Sequence, residues 1–442
     1  MKDDKKVLVI VSLTALVAFG IIFVFLNKKT DNVSVIPTGL TEQPANETFS
    51  GRPLTDIKFE RTAARLKRGE YLTTGLLQCF TCHSPRSWED PGAPPIAEKI
   101  GSGGTVLIDD SVRRVIAPNI TPDKQTGAGT WTDDMLSRAI REGVGHDGRA
   151  LYWQMPSSTY RNLSDEDLAS VIVYLRSIPP VYNVVPPTTI PAEERSEIAK
   201  SLMPLTEPVE MPDLSESMDR GRYLTKLGEC LGCHTSHAAY NPGLFAGGNH
   251  IDRFGQKVFS ANITVDPSGM PYGPEGFLFV IRTGKGGLLN PVMPWISFKN
   301  MTDEDLQAIY AYMHTFPPAK HSINNQAPFT LCEICGMEHG LGDNNKRETP
   351  PGIKLDPDLY NKYAGTYLCE KYNWTVTIVK KENKLIFIPW ENGPETELIP
   401  QSEQHFLAPG WILPMHFVEN KDEYITHLVE ETDEGQIYKK IK

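Results

Sequence analysis

The feature that most constrains this chain is an internal repeat whose two copies each begin with a C-x-x-C-H motif. RGEYLTTGLLQCFTCH at 68 to 83 matches RGRYLTKLGECLGCH at 220 to 234, with one residue deleted. Two copies of one pattern predict two domains of the same fold. The motif residues are Cys79, Cys82 and His83 in the first copy and Cys230, Cys233 and His234 in the second.

The longest match between the copies runs without a gap from 155 to 180 and from 293 to 318. Ser164 and Thr302 stand where a hydroxyl can cap a helix, and an acidic residue follows three positions later in each copy. Apolar residues then recur at the i, i+3, i+4, i+7 spacing of an amphipathic helix. Two prolines close each segment, because proline cannot continue a helix. Each copy is therefore predicted to end in a helix packed on an apolar centre.

Two shorter motifs also occur in both copies. N-I-T starts at Asn119 and Asn262, and R-x-G starts at Arg141 and Arg282. N-I-T is also a glycosylation sequon. Its occurrence at the same place in both copies favours a structural role in a loop beside the C-x-x-C-H motif.

The C-x-x-C-H motif itself predicts covalently bound haem. Its two thiols add to the haem vinyl groups and the adjacent histidine supplies one axial nitrogen to iron. A C-x-x-C pair alone would equally suit a disulfide or half of a zinc site. The following histidine and the repetition favour haem, so the sequence predicts two haem c groups.

The repeat also predicts a second axial ligand for each haem. Met155 and Met293 occupy equivalent positions, and each is followed by proline. A methionine is usually flexible core filler, so the pairing is what singles these two out. Three other methionines align with a different residue type in the other copy: Met135, Met301 and Met313. Thioether ligation would raise the reduction potential and fill the coordination sphere of iron. His146 is the next candidate in the first domain.

A third C-x-x-C pair, Cys332 and Cys335, is followed by Gly336 where a haem motif has histidine. A third haem is therefore not expected. In an exported chain, a disulfide joining one of these cysteines to Cys369 is favoured over a Cys3His metal site that includes His339.

The N-terminus carries a run of 20 uncharged residues, 7 to 26. At about 1.5 Å per residue a helix of this length spans about 30 Å of hydrocarbon, which predicts an uncleaved transmembrane anchor. The alternative is a cleaved signal peptide, which has a shorter apolar core. Covalent haem attachment then predicts that the haem domains lie on the periplasmic face of the inner membrane.

The C-terminal part is strand-like, with β-branched residues at 374 to 379 and 385 to 389. The predicted fold is multidomain: two tandem all-α cytochrome c domains, a small β-rich C-terminal domain and an N-terminal transmembrane helix. The predicted boundaries are an anchor at 1 to 30, a tether at 31 to 58, cytochrome c domain 1 at 59 to 183, a linker at 184 to 213, cytochrome c domain 2 at 214 to 320, a Cys-containing linker at 321 to 354 and the β-rich domain at 355 to 442.

The order of these motifs over residues 60 to 320 resembles the membrane-bound cytochrome c subunits of bacterial alcohol and gluconate dehydrogenases. The resemblance implies electron donation by a periplasmic dehydrogenase and transfer to quinone, an oxidase or another cytochrome. The chain departs from that family in having two haem domains rather than the three that are common there. The motifs at 356 to 367 and 398 to 410 resemble the small β modules appended to serine β-lactamase-like hydrolases.

These observations predict an electron-transfer protein rather than an enzyme. The formal net charge of -11 argues against a nucleic-acid partner, which would require a basic surface. Two alternatives remain open at this point. A di-haem peroxidase would need one haem with a displaceable ligand, and a cytochrome c subunit of a haem-copper oxidase would have similar haems but fixed partners.

Overall fold

The computed structural model describes residues 52–236, 242–285, 290, 292–346, 352–371, 374–391, 393–408, 414–430 and 436–442. Within these ranges, no helix combines the length and the apolar character needed to cross a membrane. The predicted anchor at 7 to 26 and most of the predicted tether lie outside the described residues. The transmembrane helix therefore stays a prediction.

The first five helices of one half of the chain recur in the same order in the other half. The helices of the first half are α1 (Ala63–Tyr71), which continues as a π-helical turn (Leu72–Leu76), α2 (Cys79–Cys82), α3 (Asp133–Arg141), α4 (Ser157–Tyr160), α5 (Asp165–Leu175) and α6 (Ala192–Ser201), with a 3-10 turn at Ala97–Lys99. Those of the second half are α7 (Ser217–Leu227), α8 (Cys230–His234), α9 (Pro274–Thr283), α10 (Trp295–Phe298) and α11 (Asp303–Met313). Helices α7 to α11 correspond to α1 to α5.

The two helices predicted at the ends of the repeats are confirmed as α5 and α11. The Ser164 side chain accepts a hydrogen bond from the backbone N–H of Asp167 at the start of α5. Thr302 accepts the equivalent bond from Asp305 at the start of α11. Each hydroxyl therefore satisfies one of the backbone donors that a helix leaves unpaired at its N-terminus.

The first helix of each half crosses the last helix at a glycine. A Cβ atom on Gly69 would lie 2.0 Å from the carbonyl oxygen of Ser170 in α5. A Cβ atom on Gly221 would lie 2.2 Å from the carbonyl oxygen of Ala308 in α11. Because no side chain fits at these distances, glycine is required for α1 to meet α5 and for α7 to meet α11.

The two halves contact each other reciprocally through tyrosines in α1 and α7. The Tyr71 hydroxyl donates to Asp305 of α11, and the Tyr223 hydroxyl donates to Asp167 of α5 at 2.9 Å. The backbone N–H of each helix's capping residue donates to the same tyrosine, at 3.2 and 3.1 Å. Burial and the hydrogen bond to Asp305 raise the pKa of Tyr71 to about 12, so it stays a donor at neutral pH. Equivalent residues therefore join the halves in both directions.

Each half also contains a two-stranded antiparallel hairpin, so the prediction of all-α domains was incomplete. The strands are β1 (Val106–Asp109) and β2 (Arg114–Ile116) in the first half and β3 (His250–Arg253) and β4 (Gln256–Phe259) in the second. Strands of three or four residues are too short for their alternation to be recognised in a sequence.

The segment predicted as a linker at 184 to 213 packs on the first half. Thr189 exchanges backbone hydrogen bonds with Arg114 of β2, at 2.8 and 2.9 Å. Ile198 of α6 is fully buried in a small apolar cluster that includes Leu107 and Tyr152. These contacts fix the segment against the β1–β2 hairpin.

A third antiparallel hairpin follows the second half. It consists of β5 (Phe329–Leu331) and β6 (Glu338–Gly340), with a 3-10 turn at Gly342–Asn344. This hairpin carries the third cysteine pair of the sequence.

The predicted β-rich domain is an eight-stranded antiparallel closed barrel in which neighbours in sequence pair and the last strand pairs with the first. Its strands are β7 (Gly365–Cys369), β8 (Trp374–Lys381), β9 (Lys384–Ile388), β10 (Thr396–Pro400), β11 (His405–Leu407), β12 (Met415–Glu419), β13 (Ile425–Glu430) and β14 (Gln436–Lys440), preceded by a 3-10 turn (Pro357–Leu359) and α12 (Tyr360–Tyr363). Its core is rich in fully buried aromatic rings, among them Tyr363, Tyr367, Phe387, Phe406 and Phe417. The likeness to modules of hydrolases stays a prediction.

Candidate functional site

The first C-x-x-C-H motif lines a cavity of about 540 Å³. Cys79, Cys82 and His83 come from α2 and its C-terminus, and Met155 comes from the segment before α4. The volume lies within the range of about 300 to 1,000 Å³ that is usual for cofactor pockets. Most of the remaining wall is apolar, including Leu77, Leu107, Val115, Ile140 and Val171. The cavity thus has the size, the two thiols and the histidine nitrogen that haem c requires, and the Met155 side chain also lines it.

Each motif occupies a single helical turn that follows a residue in the left-handed conformation. Gln78 has φ +53° before Cys79, and Glu229 has φ +58° before Cys230. In both copies the chain turns sharply at this residue and then begins the short helix. Residues three apart on a helix share a face, so the two thiols of each pair point to the same side.

Both motif histidines are oriented by a backbone carbonyl. His83 Nδ1 lies 2.9 Å from the oxygen of Pro118, and His234 Nδ1 lies 2.7 Å from the oxygen of Ala261. A carbonyl oxygen only accepts, so Nδ1 carries the proton and Nε2 keeps its lone pair for a metal. Burial lowers the pKa of both imidazoles, which favours this neutral form.

The repeated N-I-T motif holds the loop that carries these carbonyls. Asn119 accepts from the backbone N–H of Thr121 at 3.0 Å and donates to the Val181 carbonyl at 2.9 Å. Asn262 makes the equivalent contact to the Ala319 carbonyl at 2.7 Å. Both asparagines are buried, which agrees with the structural role predicted from the repeat and leaves no room for a glycan.

The repeated R-x-G motif joins two helices of each half. Arg141 at the end of α3 contacts the first residue of α5, Asp165, at 2.6 Å, and Arg282 in α9 contacts the first residue of α11, Asp303, at 2.5 Å. The glycine two residues after each arginine has a positive φ, +69° and +61°, and turns the chain away from the helix. R-x-G therefore has the same structural role in both halves.

Met155 and Met293 have the same local backbone. The prolines that follow them, Pro156 and Pro294, have φ and ψ of -80° and 56° and of -80° and 57°. Met155 lines the first cavity. Several neighbours of Met293 in sequence, residues 286 to 289 and 291, lie outside the described residues. Ligation of iron by the two sulfurs stays a prediction.

His146 also lines the first cavity and is the other candidate ligand there. Its ring stacks on Trp131 at 4.3 Å between centroids, and its buried Nδ1 has no hydrogen-bond partner among the described residues. Burial lowers the pKa of His146, so the ring is neutral at pH 7. The second half has no histidine between Gly284 and Met293, so this alternative exists only at the first site.

The second half completes the cavity of the first. Glu229, which precedes Cys230, lines that cavity together with Arg253. Arg253 Nη2 lies 3.8 Å from Cys82 Sγ, and the same guanidinium interacts electrostatically with Cys233 and Glu229. Arg253 therefore contacts the first motif and interacts electrostatically with the second. The two candidate sites are neighbours.

Arg253 is placed by the turn of the β3–β4 hairpin. The next residue, Phe254, packs its ring 4.5 Å from the Arg86 guanidinium carbon and 5.5 Å from the Trp88 ring of the first half. Sequence reasoning missed Arg253 because it belongs to no repeated motif. Its importance comes from a contact between the halves, which a sequence pattern does not record.

The disulfide expected for the third cysteine pair is wrong. Cys332, Cys335 and Cys369 are all free, and Cys369 is buried in the core of the barrel. Cys332 and Cys335 lie instead beside His339 and His321. Sequence reasoning weighed His339 but missed His321, which stands eleven residues before Cys332 with no local motif to mark it.

Residues 67–179 match the cytochrome c family. The chain is 34% identical over 187 residues to the gluconate 2-dehydrogenase cytochrome c subunit of Pantoea cypripedii, covering 39% of this chain and 38% of that protein. It is 28% identical over 287 residues to the fructose dehydrogenase cytochrome subunit of Gluconobacter japonicus, covering 60% and 55%. It is 25% identical over 334 residues to the cytochrome c subunit of the quinone-type alcohol dehydrogenase of Gluconobacter oxydans, covering 65% and 66%.

The chain thus contains a cytochrome c domain in its first half, which implies covalently bound haem c. Its homologues include cytochrome c subunits of dehydrogenases. The matched stretches span between 38% and 66% of the length of these three relatives.

Proposed function

We propose that this chain is a membrane-anchored di-haem c-type cytochrome that transfers electrons between a dehydrogenase and the respiratory chain. The observation that carries the proposal is that Glu229 and Arg253, which belong to the second half, line the cavity of the first site. The residues proposed to hold the two haems are Cys79, Cys82, His83 and Met155 for the first and Cys230, Cys233, His234 and Met293 for the second.

The proposed ligands favour electron transfer over catalysis. Haem bound at these positions supplies one-electron redox chemistry. If a histidine and a methionine both bound each iron, no position would remain there for peroxide. The cavity of the first site is lined mostly by apolar side chains and also by Glu229 and Arg253 of the second half.

The contacts between the halves support transfer between two sites held at a fixed separation. Tyr71 and Tyr223 join the halves reciprocally, and a further pair, Thr81 and Ser297, places its hydroxyl oxygens 3.0 Å apart. Thr81 lies within the first C-x-x-C motif, and Ser297 lies in α10, just after Met293. The segments that carry the proposed ligands thus touch across the interface.

The partners follow from the homologues and from charge. We infer a periplasmic dehydrogenase as electron donor, since relatives of this chain are named as dehydrogenase subunits. Quinone, an oxidase or another cytochrome is the proposed acceptor. A net charge of -11 suits a partner with a basic docking surface and not a nucleic acid. Residues 7 to 26 are proposed to anchor the chain, with its haem domains on the periplasmic face of the inner membrane.

Reductive titration and carbon monoxide together test the proposal. Anaerobic titration of the full-length protein is expected to consume two electrons per chain, and carbon monoxide is expected to leave the reduced spectrum unchanged because both irons are six-coordinate. A Met155→Ala variant is the positive control and should bind carbon monoxide at one haem. Binding by the wild-type protein would favour the di-haem peroxidase. Isolation as a fixed complex with haem-copper oxidase subunits after gentle detergent extraction would favour the oxidase subunit.

A further inference from the structure

We propose that His321, Cys332, Cys335 and His339 bind one Zn²⁺ ion as a structural site separate from the haem sites. All four side chains are buried, with at most 1% of their surface exposed. Their ligand atoms all lie within 4.8 Å of one another. Two thiolates and two imidazoles form one of the usual donor sets of a four-coordinate structural zinc site.

The spacing of the ligand atoms fits a single tetrahedral ion. Nε2 of His321 lies 3.2 Å from Nε2 of His339 and 3.5 Å from Sγ of Cys332. With Zn–N of about 2.05 Å and Zn–S of about 2.3 Å, a tetrahedron places two nitrogens about 3.3 Å apart and nitrogen and sulfur about 3.6 Å apart. Both distances agree with the zinc geometry within about 0.2 Å.

The two imidazoles are oriented for a metal by their other nitrogens. His321 Nδ1 donates to the Ala246 carbonyl at 2.8 Å, and His339 Nδ1 donates to the Gly340 carbonyl at 3.1 Å. With the protons on Nδ1, both Nε2 atoms present lone pairs to each other at 3.2 Å. Two facing lone pairs in a buried site repel each other, and a cation between them turns this repulsion into attraction.

The cysteines stand at the tight turn of the β5–β6 hairpin. The backbone N–H of Cys335 donates to Cys332 Sγ at 3.4 Å, and that of Gly336 donates to the Cys332 carbonyl at 2.8 Å. Gly336 has φ +74°, which lets the chain reverse directly after the second thiol. N–H donors directed at sulfur stabilise a thiolate, the form that binds metal.

The chemical nature of the four ligand atoms favours zinc over other metal ions. Calcium and magnesium require oxygen ligands, whereas two sulfurs and two imidazole nitrogens suit zinc or an iron–sulfur cluster. Mutual distances of at most 4.8 Å leave room for one ion rather than a cluster. Haem at Cys332 and Cys335 is not expected either, because Gly336 occupies the position that histidine has in a C-x-x-C-H motif.

The proposed ion would fix the β5–β6 hairpin to the second haem domain. His321 belongs to the chain that leaves α11, and its carbonyl accepts from Asn262 of the second N-I-T loop at 3.3 Å. Its anchor, Ala246, is followed by Gly247, whose backbone N–H donates to the His234 carbonyl at 2.7 Å. The zinc site therefore braces the loop that contacts the second haem motif.

Metal analysis of the full-length protein tests this proposal. Inductively coupled plasma mass spectrometry, after growth with added zinc and purification without chelating resin or chelators, is expected to find one zinc per chain and iron equal to the haem content. Cys335→Ser should lose the zinc. Cys369→Ser is the matched control, because it replaces another buried cysteine that lies in the barrel core, and it should keep the zinc.

Three outcomes would overturn the proposal. A wild-type protein without zinc, with Cys332 and Cys335 found either crosslinked or free in a non-reduced peptide map, would show that no metal is held. Iron in excess of haem would identify a different ion. Loss of zinc from the Cys369→Ser control would place the metal elsewhere. If Cys335→Ser does not accumulate, the metal count of the wild-type protein still decides.

Discussion

Replacing Met155 by His is expected to lower the midpoint potential of one haem by on the order of 0.1 V or more, a modest part of the roughly 0.8 V range that axial ligands span. The physical reason is that imidazole stabilises ferric iron better than a thioether does. The other haem should keep its potential, because Met293 is unchanged. Spectroelectrochemical titration of the wild-type protein and the variant measures both midpoints.

The oxidised spectrum gives an independent readout of the same substitution. Wild-type protein is expected to show the weak long-wavelength charge-transfer band of His/Met ligation, and Met155→His should remove about half of it, since one of two such haems is altered. His146→Ala is the control and should leave the band intact. An unchanged spectrum in the Met155 variant, with a spectrum altered by His146→Ala, would assign the first haem to His146.

Replacing Arg253 by Gln is expected to lower the midpoint potential of the first haem by several hundredths of a volt. Arg253 is half-buried, lines the first cavity and lies 3.8 Å from Cys82 Sγ. A unit charge about 10 Å away contributes about 1.7 kcal/mol at an effective dielectric constant of about 20, equivalent to about 0.07 V for one electron. Loss of this positive charge favours the ferric state.

Arg253→Lys is the matched control because it keeps the charge and should retain most of the potential. The second haem should shift in the same direction, because Arg253 also interacts with Cys233 and Glu229. The same spectroelectrochemical titration measures both effects. Equal shifts in the Gln and Lys variants would mean that the side chain acts through packing rather than charge.

Much of the structure of each half could be predicted from the sequence, because the residues that determine it are close together in the chain. The caps of α5 and α11 depend on a hydroxyl and the next three residues, and the repeat doubled the evidence for each motif. N-I-T and R-x-G could be located for the same reason, and N-I-T could also be judged structural. The structure added the contacts that explain them, from Asn119 to Val181 and from Arg141 to Asp165.

The features that escaped prediction depend on residues far apart in the chain. The acidic residues three positions after the capping hydroxyls, Asp305 and Asp167, accept hydrogen bonds from Tyr71 and Tyr223 of the opposite half. Arg253 acquires its place only when the β3–β4 hairpin crosses to the first half. His321 joins Cys332 only after the chain folds back on the second half. Local patterns carry no record of such contacts, and for the cysteines this led to the wrong pairing with Cys369.

The most direct test of the account is the number of covalently bound haems per chain. Pyridine haemochrome absorbance, set against protein concentration after acidified-acetone extraction of free haem, should give two for the wild-type protein. A variant with Cys79 and Cys82 both replaced by Ser should give one, because the second motif remains intact. One haem in the wild-type protein would contradict the two-haem account, and three would show that Cys332 and Cys335 hold haem rather than zinc.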